Sequence, residues 1–479
     1  MVESDSKKYL FSLSTLTTLF FMWGFITCLN DILIPYLKDV FALNHFQSNL
    51  VVMAFFVAYF VISLLYFVVS AVVGDPILKI GYKNTIVLGL IISAIACFLF
   101  FIEASSDNPT FGFFLFTLFL LGTGFTFLQI AANPLVSVLG SQESASSRLN
   151  LSQAFNSLGT TLAPIIGGYV IFNLMGGSSD TLDGPSAVQI PYLFLASVLL
   201  ILAGVIFFID IPNVMPEAES SVVSRVGALK YPHLVFGMIA IFFYVGAEVS
   251  IGSNLVSFMK ENHGFEDQMA SAFLSFYWGG AMIGRFTGSI SMSSLPASKK
   301  YFYMALASLG SLCLIFFAFS TSMKLTVAEM YQFFISKHIY IFIISLLLNY
   351  MLFVFAKSKP SFTLGLFAIA NIVLLSVMLM TTGTLSLWAI LSVGLFNSIM
   401  FSNIFTLAIK GLGQYTSQGS SLLVMMILGG ALIPPLQGML TDELVDGLVN
   451  PHFAFCVPMV CYCYLVWYGF WGYKVMKQK

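Results

Sequence analysis

The residue with the clearest chemical potential is an acid inside an apolar segment. Asp31 lies in "FITCLNDILIPYL" (Phe25–Leu37), next to Asn30 and four residues before Pro35. A carboxylate at membrane depth is costly unless it faces a polar cavity or a partner. Proline frees a backbone carbonyl, and carbonyl and carboxylate oxygens together suit a hard cation. The alternative is an acid neutralised by protonation or by a neighbouring helix.

Two neighbouring apolar segments each carry a pair of side-chain amides. In "FLQIAANP", Gln129 and Asn133 are four residues apart and share one helix face. In "LSQAFNSLGTT", Gln153 and Asn156 are three apart and share a face as well. Amides donate and accept hydrogen bonds, which suits a neutral polyhydroxyl ligand. Interhelical hydrogen bonding is the competing interpretation, and four amides on two neighbouring helices favour the ligand.

A second acid occurs in "FFYVGAEVSIGSNLVSFM". Tyr244 and Glu248 share a helix face at four-residue spacing, and Asn254 lies farther along the same helix. Glu248 either pairs with Arg285 on the next helix, which would be structural, or lines the cavity with the other polar groups. Both interpretations remain open.

The following helix, "FYWGGAMIGRFTGS", carries aromatic residues and regularly spaced glycines. Tyr277 and Trp278 could stack on the apolar face of a sugar ring, although both types also anchor helices at membrane interfaces. Gly280, Gly284 and Gly288 recur every four residues, which indicates close helix packing. Later helices add further candidate ligands: Asn397, Asn403 and Gln437.

Several function classes find no support. The sequence contains no G-x-x-x-x-G-K-[ST] phosphate loop and no catalytic nucleophile or metal-site pattern, so we expect a protein that is not an enzyme and has no cofactor. The five histidines lie in loops or near predicted helix ends. The net charge of −1 offers no basic surface for nucleic acid.

The composition is that of a membrane protein with many spans. Hydrophobic residues make up 58% and charged residues 9% of the 479 residues, with a mean hydropathy of +0.94. Apolar runs long enough to cross a bilayer recur along most of the chain. They predict fourteen membrane helices, at about 10–37, 48–73, 84–102, 111–139, 149–175, 191–209, 233–258, 268–292, 301–320, 339–356, 362–381, 386–409, 419–440 and 453–473.

The charge distribution orients these helices with both termini in the cytoplasm. Arg285 lies within a helix. Of the 20 lysines and arginines, those that then fall on the outer side are Lys38, Lys260, Lys324 and Lys337. A polar stretch separates the halves and predicts an N-terminal half at 1–210, a cytoplasmic linker at 211–232 and a C-terminal half at 233–479. The surplus helix pair falls near 301–356, and its apolar character predicts lipid-facing helices.

The motifs resemble the fucose-permease and glucose/galactose-transporter branch of the major facilitator superfamily. The segments that carry the resemblance are "LNDILIP", "ANPLVSVLG", "RLNLSQAFNSLGTTLAPIIGG", "FFYVGAEVSIGS", "YWGGAMIGRF", "GLFNSIMF" and "GGALIPPLQG". The resemblance implies two pseudo-symmetric six-helix halves that rock around a central sugar site, here with an added helix pair. It also implies a multi-pass protein of the bacterial inner membrane, and we expect a monomer.

The resemblance further implies residue roles. Asp31 would couple the cation, and Gln153 and Asn156 would bind sugar hydroxyls. The proton-coupled fucose permease has a glutamate where this chain has Gln129, whereas sodium-dependent members are more similar there, so Na+ is favoured over H+ and Asp31 becomes a possible Na+ site. A second departure is Ser402-Asn403, where members often have Pro-Thr.

The sequence therefore predicts cation-coupled uptake of a hexose such as glucose or galactose. The alternatives are an uncoupled facilitator, an exporter of small molecules and a sugar sensor that does not transport.

Overall fold

The computed structural model describes residues 2–40, 45–106, 110–169, 186–209, 211, 226–446 and 451–474. Side chains are described for these residues except 2–8, 29–40, 45–50, 52, 165, 167–169, 186–188, 442–446 and 451.

The described chain is α-helical and contains no β-strand. The helices encoded by the first half are α1 (Val2–Val40), α2 (His45–Val72), α3 (Pro76–Ile80), α4 (Tyr82–Ala104), α5 (Phe111–Val138), α6 (Ala145–Tyr169) and α7 (Ser186–Phe208). Those of the second half are α8 (Pro232–His263), α9 (Asp267–Ser291), α10 (Ala297–Met323), α11 (Val327–Ser336), α12 (Tyr340–Phe355), α13 (Pro360–Met380), α14 (Gly383–Asn397), α15 (Met400–Ala408), α16 (Thr416–Met425), α17 (Gly429–Asp446) and α18 (Cys456–Trp467).

The number of membrane spans is close to the predicted fourteen. By length and composition, 11 stretches of the described chain can cross a membrane, or up to 12 if α11 and α12, bent by 84° at their junction, form one broken span. Each predicted segment coincides with a helix or a broken helix, but α6 and α9 fall outside the count. Their serines, amides, glycines and one arginine each lower the mean hydropathy. The predicted polytopic all-α class is confirmed.

The chain divides into two compact units, each of which includes a segment from the other half of the sequence. Unit 1 comprises Met1–Ser141, Leu158–Tyr231 and Gly411–Leu428, and unit 2 comprises Gln142–Ser157, Pro232–Lys410 and Gly429–Lys479. The predicted domain boundaries stay a prediction, because residues 212–225 of the linker lie outside the described part.

Polar contacts hold the late segment 411–428 within unit 1. Ser417 Oγ donates to Asp75, the residue that caps α3. Gln418 Oε1 accepts from the backbone N–H of Ala228 (3.0 Å), and Ser420 Oγ donates to the carbonyl of Ile130 on α5 (3.0 Å). Because these donors and acceptors are mostly buried, the segment is an integral part of unit 1.

Glycines let α9 and α14 approach closely in unit 2. A Cβ on Gly284 would lie 2.1 Å from Ser398 Oγ, and one on Gly394 would lie 1.9 Å from the carbonyl oxygen of Tyr277. A Cβ on Gly280 would lie 3.0 Å from the backbone nitrogen of Leu395, and one on Gly288 would lie 2.5 Å from Ile399 Cγ2. The packing role predicted for the glycines of α9 is confirmed.

The added helices pack on one side and expose apolar residues on the other. Phe302 and Leu309 of α10 and Ile344 and Met351 of α12 are exposed, as a lipid-facing pair requires. Asn349 of α12 is buried and donates to the carbonyl of Leu395 on α14 (2.9 Å). The pair therefore also supports the end of α14.

Candidate functional site

In unit 1, the predicted amides of α5 are buried. Gln129 and Asn133 lie one turn apart in the part of α5 where Pro134 interrupts the helical hydrogen bonds. Neither amide atom of Asn133 has a hydrogen-bond partner among the described residues. A buried polar group left without a hydrogen bond costs about 1–3 kcal/mol, and both polar atoms of Asn133 are in this state.

The helix around these amides is tightly packed. A Cβ on Gly122 would lie 2.8 Å from Ala58 Cβ on α2, and one on Gly124 would lie 2.5 Å from the carbonyl of Gly89 on α4. Close neighbours on both sides fix the rotation of α5 and hence the direction of Gln129 and Asn133.

The predicted amides of α6 belong to unit 2. Gln153 is buried and Asn156 is half-buried, both in the segment Gln142–Ser157. This segment packs along α9, where the rings of Phe155 and Phe286 meet edge to face with centroids 5.5 Å apart. The structure assigns the α5 and α6 amides to different compact units.

Hydrogen bonds also join the α6 segment to α9 and α15. Ser147 Oγ donates to the carbonyl of Ser289 on α9 (2.7 Å), and Asn150 Nδ2 donates to Asn403 Oδ1 on α15 (3.1 Å). Asn403 in turn donates to the carbonyl of Pro360 (3.1 Å), so its amide joins helices.

Glu248 and Arg285 form the ion pair that the sequence left as one of two possibilities. Arg285 Nη2 lies 3.6 Å from Glu248 Oε1, and both side chains are 13% exposed. Tyr244, one turn before Glu248, is buried and lies in the field of both charges. The pair links α8 to α9 at a separation longer than a hydrogen bond.

Arg285 also bonds to two other elements. Its Nη1 donates to Ser157 Oγ on α6, and its Nε donates to the carbonyl of Ser398 between α14 and α15 (3.1 Å). The guanidinium of Arg285 on α9 therefore contacts α6, α8 and the turn between α14 and α15.

A second group of polar side chains forms a hydrogen-bonded network, in which Asn371 Oδ1 has no partner among the described residues. Asn397 Oδ1 accepts from Asn371 Nδ2 (2.8 Å) and from Tyr462 Oη (2.6 Å), and Asn397 Nδ2 donates to Tyr277 Oη (3.0 Å). Tyr277 Oη donates to the carbonyl of Glu248 (2.9 Å). Asn397 and Tyr277 thus have protein partners, and their binding of sugar stays a prediction.

The remaining candidates differ in their environment. Gln437 is buried on α17, where its Oε1 accepts from Ser250 Oγ (2.5 Å) and its Nε2 has no partner among the described residues. Asn254 Nδ2 donates to the carbonyl of Ser250 one turn earlier (2.8 Å). Trp278 is 40% exposed and packs beside Gly252.

The predicted cation residues lie at the limit of the description. The backbone of α1 is helical through Val40, but the side chains of Asn30 and Asp31 lie outside the described residues. Their proposed role therefore rests on sequence.

Sequence reasoning missed Asn371, Tyr462 and Ser157 as members of the polar groups. Asn371 was detectable as a lone amide in the apolar segment "FAIANIVLL", but nothing in the local sequence around Tyr462 or Ser157 separates them from structural residues.

The comparison with known families follows this architecture. Residues 13–371 match the model of the Major Facilitator Superfamily. The chain belongs to that superfamily. It is a membrane transport protein, not an enzyme, as the sequence predicted.

Relatives match over nearly the full length. A glucose/galactose transporter of Brucella abortus is 41% identical over 475 residues, which cover 98% of this chain and 96% of the relative. A putative glucose/galactose transporter of Helicobacter pylori is 37% identical over 468 residues, 97% of each chain. The L-fucose-proton symporter of Escherichia coli K12 is 29% identical over 484 residues, which cover 96% of this chain and 92% of that relative.

Solved structures confirm the transporter fold. The crystal structure of the transporter FucP in the outward conformation superposes with a TM-score of 0.73 at 27% identity, covering 96% of this chain and 98% of that one. The predicted resemblance to this branch of the superfamily is confirmed.

Proposed function

We propose that this transporter takes up a hexose such as glucose or galactose together with a cation, favouring Na+ over H+. The carrying observation is Asn133, a buried amide without a partner for either of its polar atoms among the described residues. The names of the relatives support the sugar class.

The chemistry of Asn133 fits a sugar hydroxyl. One hydroxyl can accept from the Nδ2 of an amide and donate to its Oδ1, or two adjacent hydroxyls can share these roles. In a low-dielectric environment such bonds discriminate well, since a ligand without the hydroxyl leaves the amide unpaired. Gln129, one turn earlier, extends the same amide face.

Gln153 and Asn156 are proposed as further sugar ligands, and Tyr244, Glu248, Asn254, Tyr277, Trp278, Asn397 and Gln437 as the C-terminal contribution. Of these, Tyr244 Oη, Glu248 Oε1 and Gln437 Nε2 have no hydrogen-bond partner among the described residues. Trp278 is exposed enough to meet a sugar ring. The two halves, 1–210 and 233–479, would rock about the sugar with both termini in the cytoplasm of a bacterial inner membrane.

The cation would bind at Asp31. A carboxylate, the neighbouring Asn30 and a carbonyl freed by Pro35 supply oxygen ligands for Na+. The neutral Gln129 removes a titratable group that the proton-coupled fucose permease has in this region, which favours Na+. The relatives named as L-fucose-proton symporters keep H+ as the alternative.

Uptake into proteoliposomes tests the proposal. Labelled glucose and galactose are offered under a Na+ gradient or a proton gradient, with the wild type, Asp31→Asn and Asp267→Asn. Asp267 is an exposed acid paired with Lys260 and serves as the matched control.

We expect uphill uptake with Na+ alone, lost in Asp31→Asn and kept in Asp267→Asn. Uphill uptake under a proton gradient alone would instead identify H+ as the coupling ion. Equal downhill uptake in every condition, mutant included, would make the protein a facilitator.

A further inference from the structure

Arg285 is the one residue of the described chain whose charged group joins the α6 segment, the ion pair and a helix break. Its donors reach Ser157 Oγ on α6, the carbonyl of Ser398 between α14 and α15, and, at 3.6 Å, Glu248 on α8. The guanidinium fork presents donors in fixed directions, which a lysine cannot reproduce.

Ser157 lies where the chain leaves unit 2. It follows Asn156 directly and lies four residues after Gln153 on the same helix. The next residue, Leu158, belongs to unit 1, although α6 continues unbroken to Tyr169. The contact between Phe155 and Phe286 seats α6 on α9 beside Arg285. A rotation of α6 at its amide pair therefore changes the contact between Ser157 and Arg285.

The other end of the link is a two-residue interruption, Ser398 and Ile399, within the single membrane span Gly383–Ala408. α14 ends at Asn397 and α15 begins at Met400, so carbonyls near Ser398 lose their helical partners. Arg285 Nε satisfies the carbonyl of Ser398, and Asn349 Nδ2 satisfies that of Leu395 (2.9 Å). In secondary transporters, discontinuous membrane helices typically form the substrate and ion sites.

Glu248 provides a releasable counter-charge. Its 3.6 Å separation from Arg285 is longer than a hydrogen bond, whereas the other two contacts of Arg285 satisfy hydrogen-bond geometry. The ion pair can widen while the guanidinium keeps two partners. A buried charge that retains hydrogen bonds avoids most of the penalty of an orphaned ion.

We propose that Arg285 is a positioning residue that transmits the state of the α6 amides Gln153 and Asn156 to the α14–α15 break. The sugar-linked part of this role rests on the proposed function. The mechanical part, that Ser157 and the break are linked through Arg285, does not.

Hydrogen exchange tests the mechanical part in the full-length protein without sugar. Ser157→Ala removes the α6 end of the link and leaves Arg285 in place. Ser147→Ala is the matched control, because Ser147 also joins α6 to α9 but bonds to the carbonyl of Ser289 instead. The readout is amide exchange in a peptide spanning Leu395–Phe401.

We expect Ser157→Ala to accelerate exchange at the break about tenfold, the factor associated with losing a hydrogen bond to a charged group. Ser147→Ala should leave it within about twofold. Unchanged exchange in Ser157→Ala, or equal acceleration in both variants, would overturn the proposal.

Transport kinetics of Arg285→Lys test the sugar-linked part. We expect kcat for uphill hexose uptake to fall about tenfold with KM nearly unchanged, because the lysine keeps the charge and loses the fork. A tenfold rise in KM at constant kcat would make Arg285 a direct sugar ligand and overturn the positioning role. If the wild type takes up no hexose, the proposed function fails, and the exchange comparison decides the inference by itself.

Discussion

Asn133 on α5 and Asn397 on α14 are equally buried, and they differ in their hydrogen bonds. Asn133 on α5 has no partner for either amide atom among the described residues. Asn397 on α14 has three, from Asn371, Tyr462 and Tyr277. Burial alone would rank these residues together as candidate ligands. Hydrogen-bond satisfaction separates a group available to a ligand from a group that fixes helices to one another.

The largest expected effect comes from disturbing the close packing of α9 and α14 next to the Asn397 network. Gly394→Ala places a Cβ 1.9 Å from the carbonyl of Tyr277, where backbone must move. We expect a loss of about 3 kcal/mol or more in the free energy of unfolding. Gly310→Ala on α10 is the control, because a Cβ there meets nothing within 4 Å. Thermal unfolding in detergent measures both, and equal midpoints would contradict the close approach.

The next largest effect concerns Asn397, whose loss should destabilise the protein more than the loss of Asn133. Asn397→Ala removes the hydrogen-bond acceptor of Asn371 Nδ2 and one hydrogen bond each from Tyr277 and Tyr462. We therefore expect the free energy of unfolding to fall by about 2 kcal/mol. Unfolding by a denaturing detergent provides the measurement. A variant as stable as the wild type would show that the network contributes specificity and not stability.

Asn133→Ala should weaken sugar binding without destabilising the protein, in contrast to Asn397→Ala. It removes a buried polar group without breaking a hydrogen bond among the described residues, so stability should stay level or rise. Sugar affinity should fall about tenfold, as expected for a lost ligand hydrogen bond. Titration of glucose and galactose against purified protein measures it. Unchanged affinity together with lower stability would make Asn133 structural and erase the contrast.

The smallest effect concerns a half-satisfied amide. Gln437→Met removes the unpartnered Nε2 donor and the acceptor of Ser250, and we expect sugar affinity to fall about threefold. Asn262→Ala is the comparison, since the Asn262 amide bonds to its own helix (Asn262 Nδ2 to the carbonyl of Phe258, 3.0 Å) and is not a proposed sugar ligand. The same titration should place Asn262→Ala within about twofold of the wild type. A larger loss of sugar affinity in Asn262→Ala than in Gln437→Met would contradict the assignment of Gln437.

Much of the helical architecture was predictable because a membrane helix can be recognised from its local sequence alone. Each needs a long apolar run, and every predicted segment coincides with a helix. The short α11 was not predicted, since ten residues cannot span a bilayer and its bend against α12 depends on tertiary packing. The breaks at Ser398 and before Gly429 were also invisible, as the apolar pattern continues through them.

The candidate site was predictable in its residue types and not in its connections. A single sequence identifies Glu248 and Arg285 as costly groups inside a membrane. It does not reveal that Arg285 reaches Ser157, which lies 128 positions away. It also treats Asn397 and Asn133 alike, because satisfaction depends on Asn371 and Tyr462 from other helices. Pairings between distant helices are properties of the fold.

The exchanged segments of the two units have a consequence for biogenesis. Unit 2 requires residues 142–157, which leave the ribosome early, and unit 1 requires 411–428, which are among the last to be made. Asp75 and Ile130 therefore lack their hydrogen-bond donors, Ser417 and Ser420, during most of translation. Domains generally fold as units in order of synthesis, N-terminal first. Here the first-made unit is completed only near the end, so a nascent chain halted before residue 411 should be held by insertion factors or degraded.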